Sequence, residues 1–189
     1  MSFPIVLDLE TQKSFYEVGY NPKKLKVSVV GIYDYATDEY RIYREEKLSE
    51  LFHRLENASL IIGFNIDKFD LLVLEPYYVG SITQFKTLDI LVEVEKALGH
   101  RLALDDLVKT TLNLHKSGHG LLALEYFAKG EWEKLEKYCL DDVRITRKLY
   151  EFGKREKKLL YNTHKGITEF PVTFDVENTS QAVSLSLPF

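Results

Sequence analysis

Two short and almost wholly apolar runs constrain the fold of this chain more than any other feature of its sequence. Residues 3–9 (FPIVLDL) are interrupted by a carboxylate, and residues 59–63 (SLIIG) end in glycine. Runs of this kind are typical of strands buried inside a sheet, because they are short and apolar at nearly every position. Residues 26–35 and 39–44, separated by Ala-Thr-Asp, predict a β-hairpin.

The rest of the chain predicts helices and a late pair of strands. Apolar residues recur at helical spacing, and Gly or Pro residues mark several of the expected ends. The predicted helices cover residues 45–56, 67–77, 87–98, 104–112 and 131–152, the last bounded by Gly130 and Gly153. Two short strands are expected between residues 161 and 176. This order favours an α/β fold in which helices cover a mixed sheet.

Length and composition exclude several classes of protein. The 189 residues are a little more than one domain of about 150, and we expect a monomeric domain over 1–176 followed by a tail over 177–189. A hydrophobic share of 45% and a charged share of 29% exclude a disordered or collagen-like chain.

No apolar run approaches the roughly 20 residues of a membrane span, and two early carboxylates argue against a secretory signal. We therefore expect a cytoplasmic protein that does not bind membranes. The single cysteine, Cys139, excludes a disulfide framework and a cysteine-based zinc site.

The net charge of −4 bears on nucleic-acid binding. It argues against a protein that is held to nucleic acid by bulk positive charge alone. It does not exclude a nucleic-acid enzyme, because carboxylates that hold metal ions lower the total. Tyr16, Tyr20 and the lysines within residues 23–26 are a candidate approach to such a site, although ordinary surface loops often have this composition.

Asp8 and Glu10 stand at the end of the first predicted strand. Residues two apart on a strand project to the same face, so the two carboxylates lie together. Like charges this close raise each other's pKa unless a cation neutralises them. Taken alone, Asp-x-Glu is usually a solvated strand end, but the apolar run before it makes a surface edge less favourable.

Asp70 follows the second buried strand, within the segment GFNIDKFD at residues 63–70. Asp67 and Asp70 both favour the positive end of the helix that follows, by about 0.3–1 kcal/mol each, and this explains Asp67 sufficiently. Asp70 stands between Phe69 and an apolar run that begins at Leu71, at a level that we expect to be buried. It is the better functional candidate.

Asp142 lies on the apolar stripe of the longest predicted helix. At about 100° per residue it falls within about 20° of Leu135 and Leu149, and Tyr138 lies one turn earlier. A carboxylate buried there without a partner costs several kcal/mol. An arginine partner is the alternative, but no basic residue shares the stripe, so we favour a metal ion. Asp141 is rotated away toward basic residues and is expected in a solvated salt bridge.

The four carboxylates together match the charge of two divalent cations. Ligands that are oxygen alone suit Mg²⁺ or Mn²⁺ better than zinc. Two such ions about 3.5–4 Å apart stabilise the attacking and leaving oxygens of a phosphodiester during displacement.

Three motifs resemble those of a known family. They are Asp-x-Glu at residues 8–10, Asn-x3-Phe-Asp at 65–70 and Tyr-x3-Asp at 138–142. The sequence resembles the DEDD 3′–5′ exonucleases of the ribonuclease H-like fold, in their tyrosine variety (DEDDy). It is most similar to the proofreading domains of family B DNA polymerases and to helicase-associated exonucleases, which act in DNA replication and repair. The resemblance implies a mixed sheet of five or six strands flanked by helices.

The same resemblance implies roles for individual residues. Asp8, Glu10 and Asp142 would hold the metal ion beside the nucleophilic water, Asp8 and Asp70 the second ion, and the Tyr138 hydroxyl would orient that water.

It also implies contacts with the substrate. Leu9 and Thr11 would contact the terminal nucleotide and its 3′-hydroxyl, and Phe64 and Asn65 the last nucleotides. Phe64 is equally suited to stacking on a base and to packing in the core.

These features predict a metal-dependent 3′–5′ exonuclease that degrades single-stranded DNA to nucleoside 5′-monophosphates. An exoribonuclease that processes RNA ends is the nearest enzymatic alternative. A non-catalytic nucleic-acid-binding or scaffold domain is the alternative from another class, and the presence of all four carboxylates argues against it.

The last six residues, Ser184 to Phe189, are mostly apolar after a polar stretch. They resemble the short Leu-Ser-Leu-Pro-hydrophobic peptides by which bacterial replication proteins bind the sliding clamp, with Ser184 in place of the usual Gln. An extended apolar peptide in a partner's groove is a recurring recognition mode. Packing of the tail on its own domain as an edge strand is an equally good interpretation.

Overall fold

The computed structural model describes residues 2–115, 118 and 120–174, and a mixed five-stranded sheet forms its centre. The sheet has the order β3-β2-β1-β4-β5, in which β2 is antiparallel to β1 and β3 while β4 and β5 follow β1 in parallel. Its strands are β1 (Pro4–Thr11), β2 (Val27–Asp34), β3 (Glu39–Arg44), β4 (Leu60–Gly63) and β5 (Thr87–Asp89). The predicted hairpin and the predicted α/β fold class are confirmed.

Six helices and a second small sheet complete the described part of the chain. The helices are α1 (Leu48–Asn57), α2 (Asp70–Leu74), α3 (Ile90–Leu98), α4 (Leu104–Leu112), α5 (Gly120–Ala128) and α6 (Trp132–Glu156). After α6, β6 (Lys158–Thr163) and β7 (Gly166–Pro171) form an antiparallel hairpin. No helix among the described residues is both long enough and apolar enough to cross a membrane.

Four predicted helices differ from those observed. The helix expected over 45–56 is a 3₁₀ turn at Glu45–Lys47 followed by α1. The helix expected over 67–77 is α2 followed by a 3₁₀ turn at Glu75–Tyr77, where Pro76 cannot continue the α-helical hydrogen bonds. The helix expected over 87–98 begins as β5, because Thr87–Asp89 pairs with β4. The helix expected to stop at Gly153 continues to Glu156 and ends at Lys157, which has a left-handed φ of 57°.

Alternation along β1 divides the core into two layers. Ile5, Leu7 and Leu9 belong to an apolar cluster with α1 and α2, whereas Val6 belongs to a cluster with α3, α4 and α6. Because side chains on a strand alternate between its faces, Asp8 lies on the face toward α6. The sheet therefore carries its first candidate carboxylate into the layer that holds the longest helix.

The end of the chain is not described by the structure. The predicted division into a domain over 1–176 and a tail over 177–189 stays a prediction, because residues 175–189 lie outside the described residues. The clamp-like peptide at 184–189 lies there as well.

Candidate metal centre

Asp8 and Glu10 lie within β1 rather than just after it, because the strand extends to Thr11. Asp8 is opposite Gly31 of β2. A Cβ atom at Gly31 would lie only 3.0 Å from the Cys139 sulfur and 3.0 Å from a Val143 methyl carbon. The missing side chain of Gly31 therefore lets α6 pack closely against the strand that carries the two carboxylates.

Helix α6 brings a third carboxylate to this pair. Asp142 is only 2% exposed, which confirms the expected buried position. One ligand oxygen from each of Asp8, Glu10 and Asp142 can be chosen so that all three lie within 4.8 Å of one another. Oxygens about 2.1 Å from a magnesium ion lie at most about 4.2 Å apart, so a small inward movement is enough to bind one ion. Asp141 instead forms a salt bridge with Arg144, as expected.

Asp70 is held against the same strand from the opposite side. Its side chain is 2% exposed, and its Oδ1 accepts a hydrogen bond of 3.1 Å from the Leu9 N–H. This N–H is available because β1 pairs with β4 only as far as Val6. Asp70 thus contacts the main chain of Leu9, the residue between Asp8 and Glu10. The structure therefore brings all four predicted carboxylates to one end of β1.

Tyr138 is buried one turn before Asp142, on the same side of α6. Burial raises the pKa of its phenol well above the usual value, and the nearby Asp142, Glu10 and Asp8 raise that pKa further. The phenol therefore stays protonated and can donate a hydrogen bond. Within the described residues its hydroxyl has no hydrogen-bond partner.

Cys139 contacts the centre, which sequence reasoning did not predict. Its sulfur lies 3.5 Å from the main-chain oxygen of Asp8 and 3.9 Å from Asp8 Oδ2. Complete burial raises the pKa of the thiol well above its usual value, and the neighbouring carboxylates raise it further. Cys139 is thus a protonated packing residue behind Asp8, since a buried thiol without thiolate character is unreactive.

A cleft of about 480 Å³ opens over the carboxylates. Leu9 and Thr11, two of the predicted substrate-binding residues, line it together with Asp8, Glu10, Tyr138 and Asp142. The walls are largely apolar, a property that the sequence did not predict. Phe15, Tyr16, Tyr20 and Phe69 supply the aromatic part, and Leu121 and Leu124 of α5 the aliphatic part.

Phe64 and Asn65, the other two predicted substrate-binding residues, are not among the residues that line this cleft. Phe64 is half-buried and packs against the apolar cluster around α3, α4 and α6. Asn65 has a left-handed φ of 66°, and its side-chain oxygen accepts a hydrogen bond of 2.8 Å from Arg101. Their roles toward a substrate stay predictions.

Asp89 fixes the loop that carries Asn65. Its carboxylate accepts hydrogen bonds from the main-chain N–H groups of Asn65, Asp67 and Leu91. Burial raises the pKa of Asp89 in spite of these three bonds, each of which lowers it. Neither Asp89 nor Arg101 was a sequence candidate, although an Asp directly before a helix is a recognised N-cap signal.

Comparison with known proteins supports the fold. No protein-family model matches the sequence, and no curated protein matches it. Among solved structures, the chain is similar to the family B DNA polymerase from the hyperthermophilic archaeon Pyrobaculum calidifontis, with a TM-score of 0.61 and 15% sequence identity. The match covers 79% of this chain and 24% of that polymerase chain. At this identity the similarity shows the fold alone, and the mixed five-stranded sheet is consistent with the ribonuclease H-like fold that the motifs imply.

Proposed function

We propose that this protein is a metal-dependent 3′–5′ exonuclease that degrades single-stranded DNA to nucleoside 5′-monophosphates. The observation that supports this most is the convergence of three carboxylates within 4.8 Å of one another at the floor of an apolar cleft. Asp70 lies against the same strand segment. These side chains are the acidic residues of the three motifs.

The donor set fits divalent magnesium or manganese. Every candidate ligand is a carboxylate, and hard cations such as these prefer oxygen. Asp8, Glu10 and Asp142 would hold one ion, and Asp8 with Asp70 a second. Two ions held by these residues would supply the activation of a water molecule and the stabilisation of charge on the leaving oxygen.

The other residues of the cleft act on the substrate and on the nucleophile. The protonated Tyr138 hydroxyl donates a hydrogen bond to the attacking water and orients it. Leu9 and Thr11 contact the terminal nucleotide, and the aromatic side chains of the cleft stack on unpaired bases. Stacking contributes about 1–3 kcal/mol per base and tolerates any sequence. A single strand of any sequence is therefore the expected substrate.

A digestion series tests the proposal. Labelled DNA and RNA of the same sequence, each single- and double-stranded, are incubated with Mg²⁺, with Mn²⁺ or with EDTA, and the products are identified. We expect 5′-monophosphates released from the 3′ end of single-stranded DNA, in the metal-containing reactions alone.

The series also includes one test variant and its matched control. Asp142→Asn should abolish degradation, whereas Asp141→Asn, one residue earlier and outside the carboxylate cluster, should retain it. Faster degradation of RNA would favour the exoribonuclease. Full activity in EDTA, or no degradation of any substrate, would contradict the proposal, and the second result would favour a non-catalytic binding domain.

A further inference from the structure

A cationic neighbour would help the carboxylate cleft to hold a strand that is longer than the cleft itself. Two bound divalent cations would offset the four carboxylates but leave no surplus positive charge for the rest of a polyanionic strand, and the net charge of −4 supplies no bulk attraction. Lysine or arginine side chains placed where the strand leaves the cleft would attract its phosphates and add to the stacking of its bases.

A second groove, of about 640 Å³, adjoins the cleft. Four lysines line it, and Lys13 lines both the groove and the cleft. We call this second depression the lysine groove, and its lysines are Lys13, Lys23, Lys24 and Lys26. The shared Lys13 places the groove next to the cleft.

Main-chain hydrogen bonds join the segment that carries Lys13 to the segment that carries Lys24 and Lys26. The Gln12 N–H donates to the Lys26 carbonyl at 2.9 Å, and the Lys13 N–H donates to the Leu25 carbonyl at 3.2 Å. Leu25 is buried between them and anchors the segment in the core. The position of Lys13 beside Lys24 and Lys26 is thus a property of the folded backbone.

Three of the four lysines are available to a ligand. Lys23 forms an ion pair with Glu75. Lys13, Lys24 and Lys26 are exposed, and they form no ion pair with any residue that the structure describes.

The glutamates that line the groove are engaged elsewhere. Glu17 accepts hydrogen bonds from the N–H and the hydroxyl of Ser14. Glu45 accepts from the Gln12 amide and the Tyr77 hydroxyl. The hydrogen bonds of both glutamates thus come from neutral donors, and neither glutamate forms an ion pair with Lys13, Lys24 or Lys26 among the described residues.

Exposed aromatic rings stand at the mouth of the cleft. Tyr16 is 86% exposed and Tyr20 is 73% exposed, and both line the cleft. Aromatic rings combined with a positively charged groove are the usual surface for binding single strands without sequence preference.

We propose that the lysine groove binds the phosphates of the unpaired strand on the 5′ side of the nucleotides in the cleft. This inference rests on the proposed function and adds to it a path for the substrate. A dinucleotide occupies the cleft alone, whereas a longer strand also reaches Lys24 and Lys26. Affinity should therefore increase with strand length.

The test compares Lys24→Gln/Lys26→Gln with Lys109→Gln/Lys148→Gln. The second pair consists of exposed lysines on α4 and α6 that do not line the groove, and it changes the net charge by the same amount. The KM for a single strand of about 20 nucleotides should rise about tenfold in the groove variant and stay unchanged in the control. The kcat/KM for a dinucleotide should stay unchanged in both.

Binding of the same strand in EDTA gives a readout that does not need activity. Fluorescence anisotropy should show weaker binding by the groove variant, with a slope of log affinity against log salt that is smaller by about 1.4, or about 0.7 for each lost phosphate contact. Equal KM, affinity and salt slope in both variants of an active enzyme would overturn the inference. No degradation of any substrate by the unmodified protein would refute the proposed function, whereas the affinity and salt slope in EDTA would still decide whether the groove binds the strand.

Discussion

Tyr138 and Asp142 are two buried residues whose proposed roles depend on their burial. Both lie on the inner face of α6, and neither has appreciable solvent exposure. Burial keeps the phenol protonated, because it disfavours the phenolate and raises its pKa. The two side chains therefore have different tasks, since the phenol donates a hydrogen bond while the carboxylate binds a cation.

Replacing Tyr138 by Phe should separate these two tasks. The ring and its packing are kept, whereas the hydroxyl that orients water is lost. We expect turnover to fall about 10²-fold with little change in Mn²⁺ affinity. The factor should be the same at about pH 7 and about pH 9, since the raised pKa keeps the phenol neutral at both. Single-turnover rates measured across a Mn²⁺ titration check this.

Tyr150→Phe is the matched control for this substitution. Tyr150 is buried on the same helix and stacks on Phe174, away from the carboxylates. Removal of the Tyr150 hydroxyl should leave the single-turnover rate unchanged. If Tyr138→Phe retained the rate of the unmodified protein, Tyr138 would be a packing residue alone.

The burial of a single residue could be predicted from the sequence where the helical or strand repeat determines which face it lies on. The 100° step of a helix placed Asp142 on the buried face of α6, and the structure confirms it. The contact of Cys139 with Asp8 joins residues 131 apart, and that of Arg101 with Asn65 joins residues 36 apart. No periodic pattern encodes such contacts, because they depend on how separate elements pack.

Among the secondary-structure elements, β5 shows how one side chain organises a neighbouring loop. Asp89 ends the strand, caps α3 and binds the loop that carries Asn65. Asp89→Ala leaves three N–H groups without their acceptor, and we expect the free energy of unfolding to fall by about 2–3 kcal/mol. Urea denaturation followed by circular dichroism measures this.

The pH dependence of stability gives a second check on Asp89. Its pKa is raised in the folded state, so its ionisation costs stability. The unmodified protein should therefore be most stable relative to Asp89→Asn below about pH 4. That advantage should disappear as the pH rises through the raised pKa. A stability difference that is constant across the acid range would contradict the burial argument.

Gly153 tests the packing of α6 against the end of the described chain. Gly→Ala inside a helix usually stabilises a protein by about 0.5–1 kcal/mol. At Gly153 the new Cβ would lie 2.2 Å from a ring carbon of Phe174, which is buried. We expect a destabilisation of about 1–3 kcal/mol instead, measured by urea denaturation.

Gly120→Ala is the control for this helix substitution. Among the described residues, nothing lies within 4 Å of a Cβ built at Gly120, so this variant should lose no stability. An increase in stability for Gly153→Ala would show that Phe174 does not constrain the helix.

The elements that sequence reasoning identified are those with a complete local pattern. The buried strands, the hairpin and α4 have such patterns, and the structure contains them. Strand β5 has three residues, which is too few for a period, and it is a strand because it pairs with β4. Helix α6 continues past Gly153, where a Cβ would lie 2.2 Å from a ring carbon of Phe174. This contact joins residues that are too distant in the chain for a local rule to predict it.

For the whole molecule, the sequence predicts the total charge and a candidate approach at Tyr16, Tyr20 and the lysines within 23–26, but not the place of Lys13 between these lysines and the carboxylates. The net charge of −4 combines a carboxylate cleft with a lysine groove that share Lys13. The two are adjacent because the segment between β1 and β2 folds back on itself. The fold class was easier to predict, since two buried apolar runs require a sheet that is covered on both sides.

Counting the bound manganese ions tests the central claim most directly, because that claim is that Asp8, Glu10, Asp70 and Asp142 form a two-metal centre. Electron paramagnetic resonance of free Mn²⁺ during a titration gives the number of ions bound per chain. We expect two for the unmodified protein, two for Asp141→Asn, and fewer or much weaker sites for Asp142→Asn. No bound Mn²⁺ at millimolar concentration, or equal binding by Asp142→Asn and the unmodified protein, would contradict the account.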